Sequence, residues 1–218
     1  MLAPAKSSSR SPLPTPGWGK PGWKPGHHKH LPSTSPATSS PETVEFLKAL
    51  LEGVPDDQYL EIRTMEKGRG ARKKFYGLSR LRERGFEIAL PGYLDGKANI
   101  YYGVAPRYEQ RQAESDTDRG DAVNLITTLW LDEITSPVPD LLPFSWMVET
   151  SVGKVQAGYL LKGLIDQTDR VEQLNRRLAA AVGGDNVWNR GRILRLPGFI
   201  NLNHPGGQRG CTPRFRQL

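Results

Sequence analysis

The segment TTLWLDEI, Thr127 to Ile134, sets two carboxylates, Asp132 and Glu133, side by side at the end of an apolar run. A third acid, Asp185, follows a Gly-Gly pair, and Glu149 lies in a neighbouring strand-like segment. Side chains alternate along a strand, so Asp132 and Glu133 share a direction only where the strand ends or bulges. Pro137 and Pro139 follow closely and favour an ending. If Asp132, Glu133 and Asp185 converge, each close pair repels by ~4 kcal/mol at ~4 Å in an effective dielectric near ~20. Such a cluster requires a cation. An all-oxygen donor set with neither cysteine nor histidine nearby calls for Mg²⁺ or Mn²⁺ rather than zinc. Separately solvated acids are the ordinary alternative.

A complementary set lies in ETSVGKVQ, with hydroxyls at Thr150 and Ser151, backbone N–H groups around Gly153, the ammonium of Lys154 and the amide of Gln156. Those groups suit a triphosphate or a nucleic-acid phosphate, although hairpin turns also carry Ser, Gly and Lys for structural reasons alone. NRGRILRLPGF adds Arg190, Arg192 and Arg195. In a strand, the odd spacing of 192 and 195 turns them to opposite sides, so one binds phosphate while the other is structural. Cation-held carboxylates beside a basic phosphate cradle are the equipment of nucleotidyl transfer.

The elements that must position these groups can be read from pattern. A helix is expected from SSPETVEFLKALLEG, with Ser40 as cap, Pro41 at the first position, Glu42 at the positive end, and Val44, Leu47, Leu50 and Leu51 on one face. QYLEIRTM alternates as a half-buried strand, with Leu60 and Ile62 inward and Glu61 and Arg63 outward. KKFYGL is a second strand, 79–89 is helix-like, and ANIYYGV (98–104) is a third strand. The charged loop EQRQAESDTDRGD leads to a strand at 123–132. SWMVET and VQAGYLLK form a hairpin around Gly153. A helix over 168–182 places Val171, Leu174, Leu178 and Val182 together and ends at Gly183 and Gly184. RILRLP is a last short strand. Strands and helices mix without a steady βαβ rhythm, so the fold class is α+β.

With 218 residues, the chain suffices for one domain with a real core, burying about two-thirds of its unfolded surface. The net charge is +7, but residues 1–41 hold Lys6, Arg10, Lys20, Lys24 and Lys29 without an acid, leaving 25 cations against 23 acids in the rest. A nucleic-acid surface must therefore be a local patch. Residues 1–40 are rich in Pro, Ser, Gly and Lys and are expected to be a disordered tail, with 41–218 as the catalytic domain. In the tail, GHHKH carries His28 and His30 at the spacing of the metal-binding pair of rolling-circle nucleases. That pair requires a strand in an apolar core, and Gly26 and Pro32 flank it here, so a solvated segment is expected. Trp18 and Trp23 are filler or stack on bases. The single Cys211 allows no internal disulfide, and no run is long and apolar enough to span a membrane, so a soluble cytoplasmic protein without a membrane partner is expected.

Taken in order, YLEIR, NIYYGVAPR, TLWLDEI, MVETSVGKVQAGYLL, GGD and RILRLPGFIN resemble the archaeo-eukaryotic primase superfamily, in particular plasmid and phage RepB-like primase domains. The resemblance covers about residues 44–203. It implies a catalytic core with an RRM-like mixed or antiparallel sheet and flanking helices. It also implies metal-dependent primer synthesis or primase-polymerase activity on single-stranded DNA, using nucleoside triphosphates and Mg²⁺ or Mn²⁺. By position, Asp132 and Glu133 match the adjacent acids of the first motif and Asp185 the later aspartate, together the catalytic and metal-holding set. Ser151, Lys154, Gln156, Arg192 and Arg195 match nucleotide and phosphate contacts, and Arg63 and Asn201 are the expected nucleic-acid contacts. Many relatives have Asp-x-Asp in the first motif, a histidine in the second, and Asn-x-Lys after LPG; here stand Asp-Glu, no histidine, and Asn201-Leu202-Asn203. The chain ends at Leu218 where many relatives continue toward a helicase region, which implies a replicative helicase in trans or a truncated form. Two other activities share these residues: a catalytically reduced replication-initiation or single-stranded-DNA-binding module, and a metal-dependent nuclease.

Overall fold

Ser40 opens the first helix, α1 (Pro41–Leu50), by accepting the Thr43 N–H on its hydroxyl at 3.3 Å. Pro41 sits where its missing donor costs nothing, and Glu42 faces the positive end of the dipole. The buried face is Thr43, Phe46, Leu47 and Leu50, and Val44 is only half-buried. Phe46 sets that rotation: its ring stands edge-on to Tyr102 at 5.0 Å and to Trp146 at 5.5 Å.

The computed structural model describes residues 39–88, 97–108, 122–134, 143–151, 153–203 and 214–215. The chain divides after Ser33, and every described residue belongs to the unit Thr34–Leu218. Apart from Ser39 and Ser40, the expected tail lies outside the described residues. So do the charged loop, Pro137, Pro139 and Cys211.

Two four-stranded sheets follow, and every pairing in them is antiparallel. The first contains β1 (Tyr59–Glu66), β2 (Gly70–Gly77), β3 (Ala98–Gly103) and β7 (Ile193–Arg195), in the order β2-β1-β3-β7. The second contains β4 (Ile126–Ile134), β5 (Trp146–Ser151), β6 (Lys154–Ile165) and β8 (Arg214–Phe215), in the order β4-β6-β5-β8. The short α2 (Leu78–Glu83) follows β2, and α3 (Thr168–Val182) follows β6. The chain is thus α+β, with two antiparallel sheets and few helices.

The main core is shared. Leu60, Ile62, Ile100, Tyr102 and Leu194 of the first sheet meet Trp130, Trp146 and Val148 of the second, with α1 supplying Phe46, Leu47 and Leu50. On the other side of β4, Leu131 and Ile134 pack with Ala157 and with Ala179 and Val182 of α3. The stripe that α3 buries is Thr168, Val171, Asn175, Ala179 and Val182, while Leu174 is 43 % exposed. The expected apolar stripe through Leu174 is therefore displaced toward Asn175. A strand donor explains this: Asn175 Oδ1 accepts the Trp130 N–H at 3.1 Å on the free edge of β4. Gly183 closes the helix in the left-handed region at φ 69°.

Glu61 and Arg63, expected to be solvated, are 1 % and 5 % exposed. Arg107 covers them. Its backbone exchanges reciprocal hydrogen bonds with Tyr59, both 2.8 Å, and its Nη2 donates to Glu61 Oε2 at 2.7 Å. Glu61 Oε1 takes the Nε and Nη2 of Arg63 at 2.9 and 2.5 Å. A buried carboxylate between two guanidiniums is tolerated because every charge there has a partner.

Gly158 fixes how closely β6 packs in the second sheet. A Cβ there would come 2.3 Å from Leu129 O and 2.5 Å from the Trp146 ring. Gly158→Ala is expected to destabilise the protein by about 3 kcal/mol, at the upper end of overpacking costs, which urea unfolding followed by tryptophan fluorescence will read as a lower midpoint.

Candidate active site

β4 does not end at Asp132 as the prolines suggested; it continues to Ile134 through a bulge. Leu131 pairs with Ala157 and Ile134 with Val155, so Asp132 and Glu133 together oppose Gln156. Glu133 absorbs the distortion in the left-handed region, at φ 48°, a conformation that costs a non-glycine residue ~1–3 kcal/mol. The Asp132 carboxylate offsets part of that cost: its Oδ1 accepts the Glu133 N–H at 3.0 Å.

Asp132 is 8 % exposed and fully engaged. Oδ1 also accepts Gln156 Nε2 at 2.9 Å, and Oδ2 accepts Arg192 Nη2 at 2.8 Å. Glu133, nearer the surface, accepts Lys154 Nζ at 2.8 Å. That hydrogen bond raises the Lys154 pKa above its ordinary value, against the opposing effect of desolvation; the charges of Glu133, Asp185 and Asp132 add to the rise. Lys154 is thus firmly cationic.

Asp185 is delivered by the stop of α3. Its backbone N–H donates to Asp132 O at 3.0 Å, and a Cβ on Gly184 would stand 3.3 Å from that same oxygen. Its side chain is exposed. The structure therefore brings the three acids into one neighbourhood, with Lys154 within electrostatic reach of all of them. Among the described residues, however, no three His, Cys, Asp or Glu side chains stand close enough to hold a metal ion. The donor chemistry still fits a hard divalent cation: the ligand atoms are carboxylate oxygens, and Arg192 and Lys154 occupy cation positions on Asp132 and Glu133.

Beside the acids opens a cleft of about 440 Å³, lined by Arg63, Met65, Tyr101, Asp132, Glu133, Thr150, Gln156, Asn189, Arg192 and Arg195 among others. Arg192 and Arg195 do not face opposite sides. Arg192 precedes β7, so strand alternation does not separate the two, and both line the cleft. Arg195 lies over the Tyr101 ring at 5.0 Å and donates Nη1 to Asn99 Oδ1 at 2.8 Å. Gln156 joins the sheets: its amide donates to Asp132 while its Oε1 accepts the Arg195 N–H at 3.1 Å on the free edge of β7.

Other expected site residues stand elsewhere. Ser151 is half-buried opposite Lys154 in the hairpin and does not line the cleft. Asn201 is buried, with Nδ2 on Thr150 O at 2.5 Å and Oδ1 accepting the Asn203 N–H at 3.0 Å, so it braces the strand end from behind. Sequence reading missed Asn99, Tyr101, Asn189 and Arg107 as parts of this region. Only Asn99 left a trace, as an amide in an otherwise apolar strand.

The fold is similar to that of solved AEP primase and primase-polymerase domains. The primase-polymerase AEP domain of cyanophage S-2L is similar with a TM-score of 0.56 at 14 % identity, over 81 % of this chain and 90 % of that one. A crystal structure of the primase RepB′ is similar with a TM-score of 0.50 at 14 % identity, over 80 % of this chain and 56 % of that one. The catalytic domain of RepB′ in complex with initiator DNA gives a TM-score of 0.50 at 14 % identity, over 78 % and 83 % of the two chains. No family model and no curated protein sequence matches the chain.

Behind the cleft, Tyr102 is 1 % exposed, and its hydroxyl finds no hydrogen-bond partner among the described residues. Burial, and secondarily the Asp132 charge, push its pKa well above the ordinary value. The folded pKa is raised, so the tyrosine's contribution to stability is complete below the unfolded pKa of about 10 and is lost as pH climbs beyond it. Tyr102→Phe is expected to leave stability at pH 7 unchanged or slightly higher, and to lessen the fall in urea midpoint between pH 9 and pH 11.

Proposed function

We propose that this protein is a nucleotidyltransferase of the primase or primase-polymerase kind, joining nucleotides on a single-stranded DNA template. The observation that carries the reading is the buried Asp132 carboxylate, held by Gln156 and Arg192 at the edge of an arginine-lined cleft in a primase-type fold. Arg192 and Arg195 in the cleft, with Lys154 paired to the cleft-lining Glu133, supply the positive charge that a triphosphate requires, and Gln156 holds Asp132 beside them. In the reaction, the 3′-oxygen of the growing strand bonds to the α-phosphorus. Pyrophosphate leaves with the electrons of the broken P–O bond, and the hydroxyl proton passes to water. Asp132, Glu133 and Asp185 would hold a Mg²⁺ or Mn²⁺ ion, which when bound activates the attacking oxygen and neutralises the leaving group. The adjacent acids are the part of the site that this chemistry needs most, because the bulge is what turns two neighbours in sequence toward one place.

One observation favours a second reading, a single-stranded-DNA-binding module without catalysis: Asp132 and Glu133 carry paired cations, and among the described residues no three acids close up enough to ligate one ion. Incorporation of labelled nucleotide on single-stranded DNA separates the two. Asp132→Asn is expected to lower incorporation by about 100-fold or more while DNA binding persists. An undiminished rate overturns the catalytic assignment, and synthesis absent from the unmodified protein under every metal condition selects the binding module. Arg192→Ala is expected to raise the KM for nucleotide about tenfold, the loss of one charged hydrogen bond, measured in the same assay.

A further inference from the structure

The sheet face that lines the cleft continues beyond Arg63. In the first sheet, β2 pairs with β1, β1 with β3 and β3 with β7 so that Lys73, Arg63, Tyr101 and Arg195 stand directly opposite one another in one row. Adjacent side chains in a row share a face, and Arg63, Tyr101 and Arg195 all line the cleft. Lys73 therefore stands on the cleft face as well, about 14 Å from the β7 end of the row, or three interstrand spacings. Two residues on, Phe75 shares the face of Lys73 and pairs opposite Glu61. Both Lys73 and Phe75 are half-buried.

Among the described residues, the charge in these rows is predominantly positive. The one carboxylate in them, Glu61, is buried and shared between Arg63 and Arg107, so that cluster retains a net positive charge. The loop and strand 67–76 hold Lys67, Arg69, Arg72, Lys73 and Lys74 with no acid. Arg72 and Lys74 point to the other face, where Lys74 lies over the Tyr76 ring at 4.6 Å, and Arg69 is paired with Glu66 at 3.3 Å. What the cleft face receives from β2 is thus one cation and one ring.

We propose that this face of the first sheet is a track for single-stranded DNA, in which Lys73 neutralises a backbone phosphate and Phe75 stacks on a base a few nucleotides from the acids. The proposal rests on the nucleic-acid reading of the cleft and extends it to residues outside the cleft. A sheet-borne surface that sets the rings of Tyr101 and Phe75 among the cations Lys73, Arg63 and Arg195 suits an unpaired strand, whose bases are free to stack. A duplex hides its base faces and would use the cations alone.

The test measures binding of the full chain to labelled oligo(dT) and to a blunt duplex of equal length, by fluorescence anisotropy at several salt concentrations. Lys73→Ala is expected to weaken oligo(dT) binding and to reduce the salt slope by about 0.7, one single-strand phosphate contact. Phe75→Ala is expected to weaken oligo(dT) binding about fivefold or more with the salt slope unchanged, and to spare duplex binding. Phe75→Tyr should retain the affinity, whereas Phe75→Leu, which keeps apolar volume without a ring, should lose it even if the alanine variant proves too unstable to assay. Nucleotide binding without DNA should be unaltered in all of these, so failure of the track is read separately from failure of the catalytic assignment. Unchanged oligo(dT) affinity and slope in Lys73→Ala, or equal losses on oligo(dT) and duplex in Phe75→Ala, would overturn the proposal.

Discussion

A carboxylate that is nearly out of water needs hydrogen-bond partners on both of its oxygens, and Asp132 finds them in both sheets. Gln156 comes from the neighbouring strand of the second sheet, Arg192 from the entry to β7 in the first, and the Asp185 N–H, bonded to the Asp132 carbonyl, from beyond α3. Removing Gln156 or Arg192 would leave a buried charge partly uncompensated, at a cost of several kcal/mol. The position of β7 beside the second sheet, the stop of α3 and the direction of the hairpin are therefore coupled through one residue. Gln156 extends the coupling, since the same amide that holds Asp132 also fixes the Arg195 N–H.

Two local departures from ideal geometry make that arrangement possible. The bulge at Asp132 and Glu133 keeps two consecutive acids near one end of the sheet, and Glu133 sits in the left-handed region to allow it. Gly184 then lets the chain pass close to the Asp132 carbonyl, where a side chain would crowd it. Strain of this kind persists where the surroundings over-determine it, and here the surroundings are ion pairs: Glu133 with Lys154 and Asp132 with Arg192.

The strands other than β8 and the two longer helices were legible from alternation, turn residues and helical period, and caps such as Ser40 and Gly183 mark the helix ends. The acidic cluster was legible as adjacency plus a glycine stop. Three things were not. The bulge leaves no mark in LWLDEI, because whether a strand ends or kinks depends on the partner strand, and only pairing with β6 shows that Ile134 is still in register with Val155. The faces of the arginines depend on where β7 begins: one residue moved Arg192 out of the alternation that separates it from Arg195. Burial of Glu61 and Arg63 depends on Arg107, some forty residues on, and no local pattern announces a lid of that kind.

On the proposed reading, the resting charge pairs also shape how ligands enter. A polyanion that draws Arg192 away would leave Asp132, at low exposure, with only the neutral donors of Gln156 and the Glu133 N–H, so an anion arriving alone would meet an opposing electrostatic cost. A polyanion accompanied by a divalent cation would meet a smaller cost, because Asp132 would hold that cation while the arginine pairs with the anion. The same holds for Glu133 and Lys154, although their exposure makes that exchange much cheaper. On that reading the buried pair would set selectivity and the surface pair would ease access, an ordering drawn from their difference in burial.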